Sequence, residues 1–133
     1  MFDFVKTLTA SPNGVLATRD GEAVRTRVFQ FLFAEGKRIY FCTSTEKEVF
    51  RQLSANSNVS FCCYPTDFFP VLSIGGQAVF VNDLKVKTRV LEENPMIRGI
   101  YKSADNPVFA VFYVEVECVE TFSFAAGSET HQI

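Results

Sequence analysis

Apolar and polar residues alternate with a period of two along much of the chain, as is typical of β-strands. This pattern predicts strands over residues 15–19, 22–33, 38–43, 59–64 and 71–81, and a last strand that begins at Pro107. Asp20-Gly21 and Glu35-Gly36 are tight-turn sequences that predict hairpins. Gly75-Gly76 interrupts the fifth strand and predicts a bulge or a close backbone approach at that point.

Three short segments have helical character, and they cover residues 3–9, 46–55 and 83–93. Asn82 or Asp83 can cap the third of these helices, and Asn94-Pro95 predicts its end. Ser44 or Thr45 can accept a hydrogen bond from the first turn of the second helix. Residues 127–133 are polar, and we expect a loose tail from about residue 126. The chain is therefore predicted to be one mainly β domain over residues 1–133, with six or so antiparallel strands and small helices. A closed barrel is favoured because closure removes unpaired strand edges.

The composition is that of an ordinary soluble globule, with 133 residues, 47% hydrophobic residues and 21% charged residues. The formal net charge is −2 and lysine and arginine do not cluster, so we expect no nucleic-acid partner. No apolar run approaches the roughly 20 residues that span a bilayer, so we expect no membrane association. The first residues lack a basic region followed by an apolar stretch, which predicts a cytoplasmic protein without a signal peptide.

Few residues are available for acid–base, nucleophilic or metal chemistry. The one histidine is His131, so neither a serine–histidine–aspartate triad nor a histidine-rich metal site is expected. The cysteines, Cys42, Cys62, Cys63 and Cys118, form no C-x-x-C pair, and we interpret them as buried free thiols, with a redox or metal role as the alternative. We predict no catalytic side chain, so that a bound cofactor would supply any chemistry.

One constellation of residues is suited to a phosphate monoester. Arg25 and Arg27 project from one face of their strand, and hairpin pairing would place the strand of residues 38–43 beside it. That strand ends at Thr43 and Ser44, just before a helix start that carries Lys47. Backbone N–H groups at a helix start attract anions, and arginine offers a two-pronged donor. The alternative is that the arginines face solvent and the hydroxyls are simple helix caps.

Phenylalanine is abundant, with 15 residues. Those on the strands around the candidate phosphate site can line a pocket for a flat ring, although most can equally be core. Phe68 and Phe69 differ, because they stand between Pro65 and Pro70 in a predicted turn. We interpret these two as a lid or an oligomer contact.

Three sequence blocks resemble the pyridoxamine 5′-phosphate oxidase-like flavoproteins, and in particular their small NimA/NimC-like (nitroimidazole-resistance) members. The blocks are GVLATRDGEAVRTRVFQFLF, GKRIYFCTSTEKEVFRQLSANSNVSFC and LSIGGQAVFVNDLKVKTRVLEENP. They contain an A-T-x-D-G hairpin, an R-x-R strand, Y-F-x-T-S before a lysine-bearing helix, an A-N-x-x-V strand entry and I-G-G-Q-A-V-F. The resemblance covers about residues 1–125.

The resemblance implies an FMN-binding split barrel that acts as a homodimer, with FMN at the subunit interface. It implies that the strand from Arg25 to Gln30, including Val28 and Phe29, lies along the flavin. Arg25 or Arg27 would reach the cofactor phosphate, and Thr43, Ser44 and Lys47 would complete its cradle. Hydride would pass through flavin N5 without a universal protein base.

The sequence departs from the family pattern in three places. Val28 stands where many relatives have proline after the second arginine, and Gly75-Gly76-Gln77-Ala78 stands where many have S-G-K-A. The late motif that binds substrate phosphate in the true oxidases is missing, because the last arginine is Arg98. We therefore do not expect the vitamin B6 oxidase reaction itself. Some members bind coenzyme F420 or haem, and haem is disfavoured because His131 is the only histidine.

The leading hypothesis is a flavin-dependent reductase that takes electrons from NAD(P)H and passes them to a small flat acceptor of the nitroaromatic type. The alternative is a non-catalytic flavin- or small-ligand-binding protein with a stress or storage role. A barrel for apolar ligands without phosphate recognition is the third possibility.

Overall fold

Eight strands and four short helices make up the regular structure of residues 2–133 in this computed structural model, and Met1 lies outside the described residues. The helices are α1 (Phe4–Ala10), α2 (Glu48–Ala55), α3 (Leu84–Glu93) and α4 (Pro95–Tyr101). The strands are β1 (Asn13–Asp20), β2 (Ala23–Gln30), β3 (Phe33–Glu35), β4 (Arg38–Ser44), β5 (Asn58–Cys63), β6 (Val71–Val81), β7 (Phe109–Ser123) and β8 (Gly127–His131).

All strands belong to one antiparallel sheet in the order β2-β1-β5-β6-β7-β4-β3, with β8 paired to β7. The sheet curls until its two ends approach. Phe29 of β2 packs edge-to-face on Phe41 of β4 and on Phe112 of β7, with ring centroids 5.9 and 5.7 Å apart. No ladder of backbone hydrogen bonds joins β2 to β4 within residues 2–133. The predicted mainly β barrel with small helices is therefore confirmed, as a split barrel.

Two details of the predicted strands are wrong. The segment 22–33 is two strands, because the Phe31 amide donates to the Pro12 carbonyl and the Leu32 amide donates to the Tyr40 carbonyl, so the backbone leaves β1 at this point. The strand 38–43 does not pair with residues 22–30. It pairs with the short β3 on one side and with the long β7 on the other.

Helices pack against both faces of the sheet. The interior is filled from the inner face of the sheet, where Leu16, Phe41, Phe61 and Phe112 are fully buried, and α2 closes it with Val49 and Leu53. On the outer face, α3 and α4 cover β4 and β7, and this second cluster holds Phe33, Tyr40, Val90, Leu91, Tyr101, Phe109 and Val111.

The sequence Asn94-Pro95 ends α3 as predicted, but it also begins α4, which the pattern missed. Proline is well tolerated at a first helical position because its absent N–H would have no helical partner there. Asp83 caps α3 as predicted, with its carboxylate accepting from the Lys85 amide at 2.8 Å. Among residues 2–133, no helix is long and apolar enough to cross a membrane.

The predicted irregularity at Gly75-Gly76 is confirmed as a bulge. Gly75 pairs with Cys118 while Gly76 pairs with Val116, so Glu117 is the extra residue of β7. A Cβ on Gly76 would lie 2.1 Å from the Glu115 carbonyl oxygen, so the close approach needs glycine. The bulge turns Cys118 to the outer face, where it is exposed. The prediction of four buried thiols is therefore wrong for Cys118, while Cys63 is buried and Cys42 and Cys62 are half-buried.

The predicted loose tail is also wrong, since residues Gly127–His131 form β8 against β7. The hydroxyl of buried Thr121 and Nε2 of His131 are 2.7 Å apart. The imidazole ring stacks on Phe2 with centroids 4.4 Å apart. A polar sequence concealed this strand because its side chains are mostly exposed while its backbone pairs with β7 along its whole length.

Candidate functional site

The alternation of β2 divides the predicted site residues between the two faces of the sheet. Arg25, Arg27 and Phe29 lie on the inner face, because their partners Thr18, Leu16 and Gly14 in β1 point inward. Val28 and Gln30 lie on the outer face and are exposed. The side chains expected along a flavin thus reach two environments, a polar barrel mouth on the inside and an open surface on the outside.

Arg27 is a half-buried cation without an acidic partner. Its Nη1 donates to the Thr18 hydroxyl at 2.7 Å, and its Nη2 donates to Oε1 of Gln52 in α2 at 2.6 Å. Partial burial lowers the pKa of the guanidinium below its usual value, because desolvation disfavours the charge. None of the salt bridges among residues 2–133 involves Arg27. The barrel mouth therefore contains a positive charge that the protein does not neutralise.

Arg25 is in the opposite situation. It is exposed, and its Nε lies 3.5 Å from a carboxylate oxygen of Asp20. Arg51 of α2 reaches the other Asp20 oxygen at 3.2 Å. The Arg51 hydrogen bond, together with the charges of both arginines, holds the pKa of Asp20 below its usual value. Arg25 is already paired with Asp20 and is less available to an anion than Arg27.

Thr43 is a buried hydroxyl without a hydrogen-bond partner. Its side chain is on the inner face, is 3% exposed, and its Oγ1 has no partner in residues 2–133. β2 and β4 run in opposite directions, because five antiparallel steps separate them in the sheet. Since Phe29 meets Phe41, residues on the Arg27 side of Phe29 and on the Thr43 side of Phe41 face the same end of the barrel. An unpaired buried hydroxyl is costly unless a ligand satisfies it.

Ser44 and Lys47 lie in the turn that enters α2. Ser44 points to the outer face, and its hydroxyl accepts from the Glu46 amide at 3.1 Å. The helix begins at Glu48 rather than at residue 46, and its N-cap is Lys47, whose side chain makes no capping bond. The predicted hydrogen bond to the Ser44 hydroxyl is therefore present, but it stabilises the turn before α2 rather than the first turn of the helix. The first amides of α2 are left without a side-chain cap at the same end of the barrel as Thr43.

Lys47 lies close enough to the Cys42 thiol for its charge to act on that group. Burial raises the pKa of Cys42 to about 12, and the positive charge of Lys47 acts in the opposite direction. Lys47 itself is exposed and takes part in none of the salt bridges among residues 2–133. It is therefore an exposed cation, outside these salt bridges, at the start of α2.

Sequence reasoning missed Gln52 and Thr18, which are the hydrogen-bond partners of Arg27. Gln52 is 4% exposed and lies between the inward-facing Val49 and Leu53 of α2. Gln52 follows Val49 by three residues and so lies on the apolar stripe of α2. This position was the available signal, because a buried side-chain amide requires hydrogen-bond partners. Thr18 follows Leu16 on the inward face of β1, and this alternation was equally visible.

An open cleft of about 440 Å³ adjoins β2 on its outer side. Val28, which is 72% exposed, and Tyr64, which is 55% exposed, stand on its walls. The remaining lining residues are Ala10, Ser11, Pro12, Asn13, Gly14, Val15, Pro65 and Thr66. None of these side chains is charged, so the cleft suits a neutral or flat group.

The family model described as Pyridoxamine 5'-phosphate oxidase matches residues 3–123. That match covers most of the chain, and the chain belongs to the pyridoxamine 5'-phosphate oxidase family. The resemblance inferred from the sequence blocks is therefore confirmed. A comparison with curated proteins finds no match.

Solved structures agree with the fold. A NimC/NimA family protein from Clostridium acetobutylicum is similar with a TM-score of 0.87 and 25% identity, covering 98% of this chain and 90% of that one. General Stress Protein 26 from Bacillus anthracis str. Sterne has a TM-score of 0.80 and 15% identity, covering 97% and 95%. A structure named F420 Reductase has a TM-score of 0.67 and 18% identity, covering 90% and 98%.

Proposed function

We propose that this protein binds FMN and transfers electrons from NAD(P)H to a small flat acceptor of the nitroaromatic type. The observation that carries the proposal is Arg27, a half-buried guanidinium that the protein leaves without a carboxylate. A fixed, partly desolvated cation in the mouth of a barrel is a strong site for a phosphate monoester. The family membership supports a flavin-type cofactor, and a similar structure is named an F420 reductase.

The proposed phosphate cradle consists of Arg27, Thr43 and Lys47, together with the uncapped amides at the start of α2. The Thr43 hydroxyl is buried and has no partner among residues 2–133, so a phosphate oxygen would satisfy it. Arg25 and Ser44 also belong to the proposed site. Arg25 is already paired with Asp20, however, and the Ser44 hydroxyl already accepts a hydrogen bond from the Glu46 amide. We therefore assign them weaker roles.

The flavin ring is proposed to lie along β2, beside Val28, Phe29 and Gln30. FMN supplies the hydride chemistry when bound, through N5 of its ring. Phe29 is held firmly by its edge-to-face contacts with Phe41 and Phe112, while Val28 and Gln30 remain exposed on the other face. A strand with one anchored face and one open face can support a planar ligand without rearranging.

A homodimer with FMN at its interface is the proposed assembly. β2 pairs only with β1, so its other backbone edge is free within residues 2–133, and Val24 and Val28 beside it are 62% and 72% exposed. A free edge with exposed apolar residues is a liability that proteins normally cover. A second surface carries clustered aromatic rings of Tyr64, Phe68, Phe69, Phe122 and Phe124. Phe68 and Phe69 stay predicted as a lid or an oligomer contact.

The test is the visible absorption spectrum of the purified protein during gel filtration, with and without added FMN. We expect a flavin band that elutes with the protein at the volume of a dimer. NAD(P)H oxidation is then followed with nitroaromatic acceptors. A protein that retains flavin but never oxidises NADH or NADPH supports the binding-only alternative, and a protein that binds no flavin contradicts the proposal.

A further inference from the structure

Three polar groups form a closed ring of hydrogen bonds at the barrel mouth. Arg27 Nη1 donates to the Thr18 hydroxyl at 2.7 Å, and that hydroxyl donates to Gln52 Oε1 at 2.6 Å. The same Gln52 oxygen accepts from Arg27 Nη2 at 2.6 Å. Every donor and acceptor role in the ring is satisfied, so the terminal edge of the guanidinium has one fixed orientation.

The two partners of Arg27 are both neutral and buried. Thr18 is 2% exposed and Gln52 is 4% exposed. A carboxylate at either place would orient the guanidinium equally well, but it would cancel the positive charge. An amide oxygen and a hydroxyl orient Arg27 and leave its charge available to a ligand.

The ring leaves one side of the guanidinium free. Arg27 Nη1 also approaches the Leu16 and Arg25 carbonyls at 3.4 and 3.5 Å, so its hydrogens are engaged. Nε donates to no group within residues 2–133, and Nη2 donates to Gln52 alone. The Nε–Nη2 side therefore presents two parallel N–H groups, which is the arrangement that binds two oxygens of one phosphate.

We propose that Gln52 and Thr18 are positioning residues, which hold Arg27 with its Nε–Nη2 side directed toward the phosphate of the bound cofactor. This inference rests on the proposed function, because it assigns Arg27 to the FMN phosphate. Arg27 contacts the phosphate, and Gln52 and Thr18 act only through Arg27.

The experiment compares FMN with riboflavin, which lacks the phosphate, by titrating apoprotein and following flavin fluorescence. Gln52→Met removes the acceptor oxygen at nearly constant volume. We expect it to weaken FMN binding about tenfold, which corresponds to about 1.4 kcal/mol, and to leave riboflavin binding unchanged, because only FMN carries the phosphate that Arg27 would contact. Thr18→Val should act in the same direction, while Thr18→Ser keeps the hydroxyl and should restore FMN binding. Thr88→Val, at an exposed position of α3, is the matched control.

A double-mutant cycle with Arg27→Met separates positioning from a general effect on the fold. In the Arg27→Met background, adding Gln52→Met should change the FMN-to-riboflavin affinity ratio no further. A loss of FMN and riboflavin affinity in equal proportion would assign Gln52 a purely structural role and overturn the inference. Unchanged affinities for both flavins in Gln52→Met would overturn the inference as well, with the proposed function intact. Equal binding of FMN and riboflavin by the wild type would instead contradict the proposed function itself.

Discussion

Polar side chains on the two faces of the sheet around β4 differ in whether they have partners within the protein. On the outer side, near α3 and α4, two arginines are paired with carboxylates: Arg89 binds Glu93 at 2.9 Å and lies 3.7 Å above the Phe33 ring, and Arg38 binds Glu115 at 3.0 Å. On the inner side, Arg27 has no carboxylate, and the Thr43 hydroxyl has no partner within residues 2–133.

We interpret this difference as one between a surface that completes the fold and a surface that is available to a ligand. A buried polar group without a partner reduces stability unless something binds it, so a protein that retains such groups in one place has a use for them. The inner barrel mouth combines an unneutralised cation, an unpaired hydroxyl and uncapped helix amides. Around β4, the outer face has packed helices and two arginines paired with carboxylates, which stabilise the fold.

The largest expected effect is that of Arg27→Met. Loss of a two-pronged charged contact should weaken FMN binding about 100-fold, because two charged hydrogen bonds together contribute about 3 kcal/mol or more. The measurement is a fluorescence titration with FMN. Arg38→Met is the matched control on the outer side, where the cation is satisfied by Glu115 and lies over Tyr113, and it should leave FMN binding unchanged. Equal losses in the two variants would erase the distinction between the faces.

Lys47→Ala should weaken FMN binding about tenfold, which is less than the loss of Arg27 because the lysine is exposed and more strongly screened. Calorimetry at low and high salt checks this, and the salt dependence of FMN affinity should diminish in the variant. Lys87→Ala on α3, where the ammonium lies 5.8 Å from the Phe109 ring centroid, is the control. Unchanged FMN affinity in Lys47→Ala would remove Lys47 from the site.

Thr43→Val should change binding and stability in opposite directions. The valine has nearly the shape of threonine, so the apoprotein should gain about 1 kcal/mol in unfolding free energy when the unpaired hydroxyl is removed. FMN affinity should fall several-fold, because one donor to the phosphate is lost. Urea unfolding of the apoprotein and FMN titration are the two measurements. A variant that is less stable and binds FMN normally would show that Thr43 is only a packing residue.

The reactivity of the cysteine thiols toward an alkylating agent should decrease with burial. Of the expected effects, this one has the smallest consequence for function. Burial raises the pKa of Cys42 to about 12 and that of Cys63 to about 11. Both are neutral thiols at pH 8, and their thiolates appear only as the pH rises toward those values. Iodoacetamide at pH 8 should therefore modify exposed Cys118 first, as peptide mass spectrometry would show. Early modification of Cys42 would contradict the closed packing of the outer face.

Local features of the fold were predictable where a single residue type determines them. The irregularity at Gly75-Gly76 and the Asp83 cap could be identified because glycine and aspartate have special backbone roles there. The pairing of β4 with β7 was not predictable, since it depends on contacts between residues that are distant in sequence. β8 was missed because its stability comes from backbone pairing and from the His131–Thr121 contact rather than from apolar side chains.

The candidate site was predictable in its parts but not in its connections. The two-residue period of the strand predicted that Arg25 and Arg27 share one face. Only the structure distinguishes them, because Arg25 is paired with Asp20, whereas Arg27 is hydrogen-bonded to Gln52 and Thr18. Likewise, the sequence offers Thr43 and Ser44 as equals. The alternation of β4 turns one hydroxyl inward without a partner and the other outward onto the Glu46 amide.

The central claim is that the unneutralised guanidinium of Arg27 makes the barrel mouth a phosphate site. The most direct measurement is a side-by-side calorimetric titration of the wild-type apoprotein with FMN and with riboflavin. We predict that FMN binds about 100-fold more tightly than riboflavin, with one FMN per chain, because the phosphate adds several charged hydrogen bonds. Equal affinities for the two flavins would contradict the account.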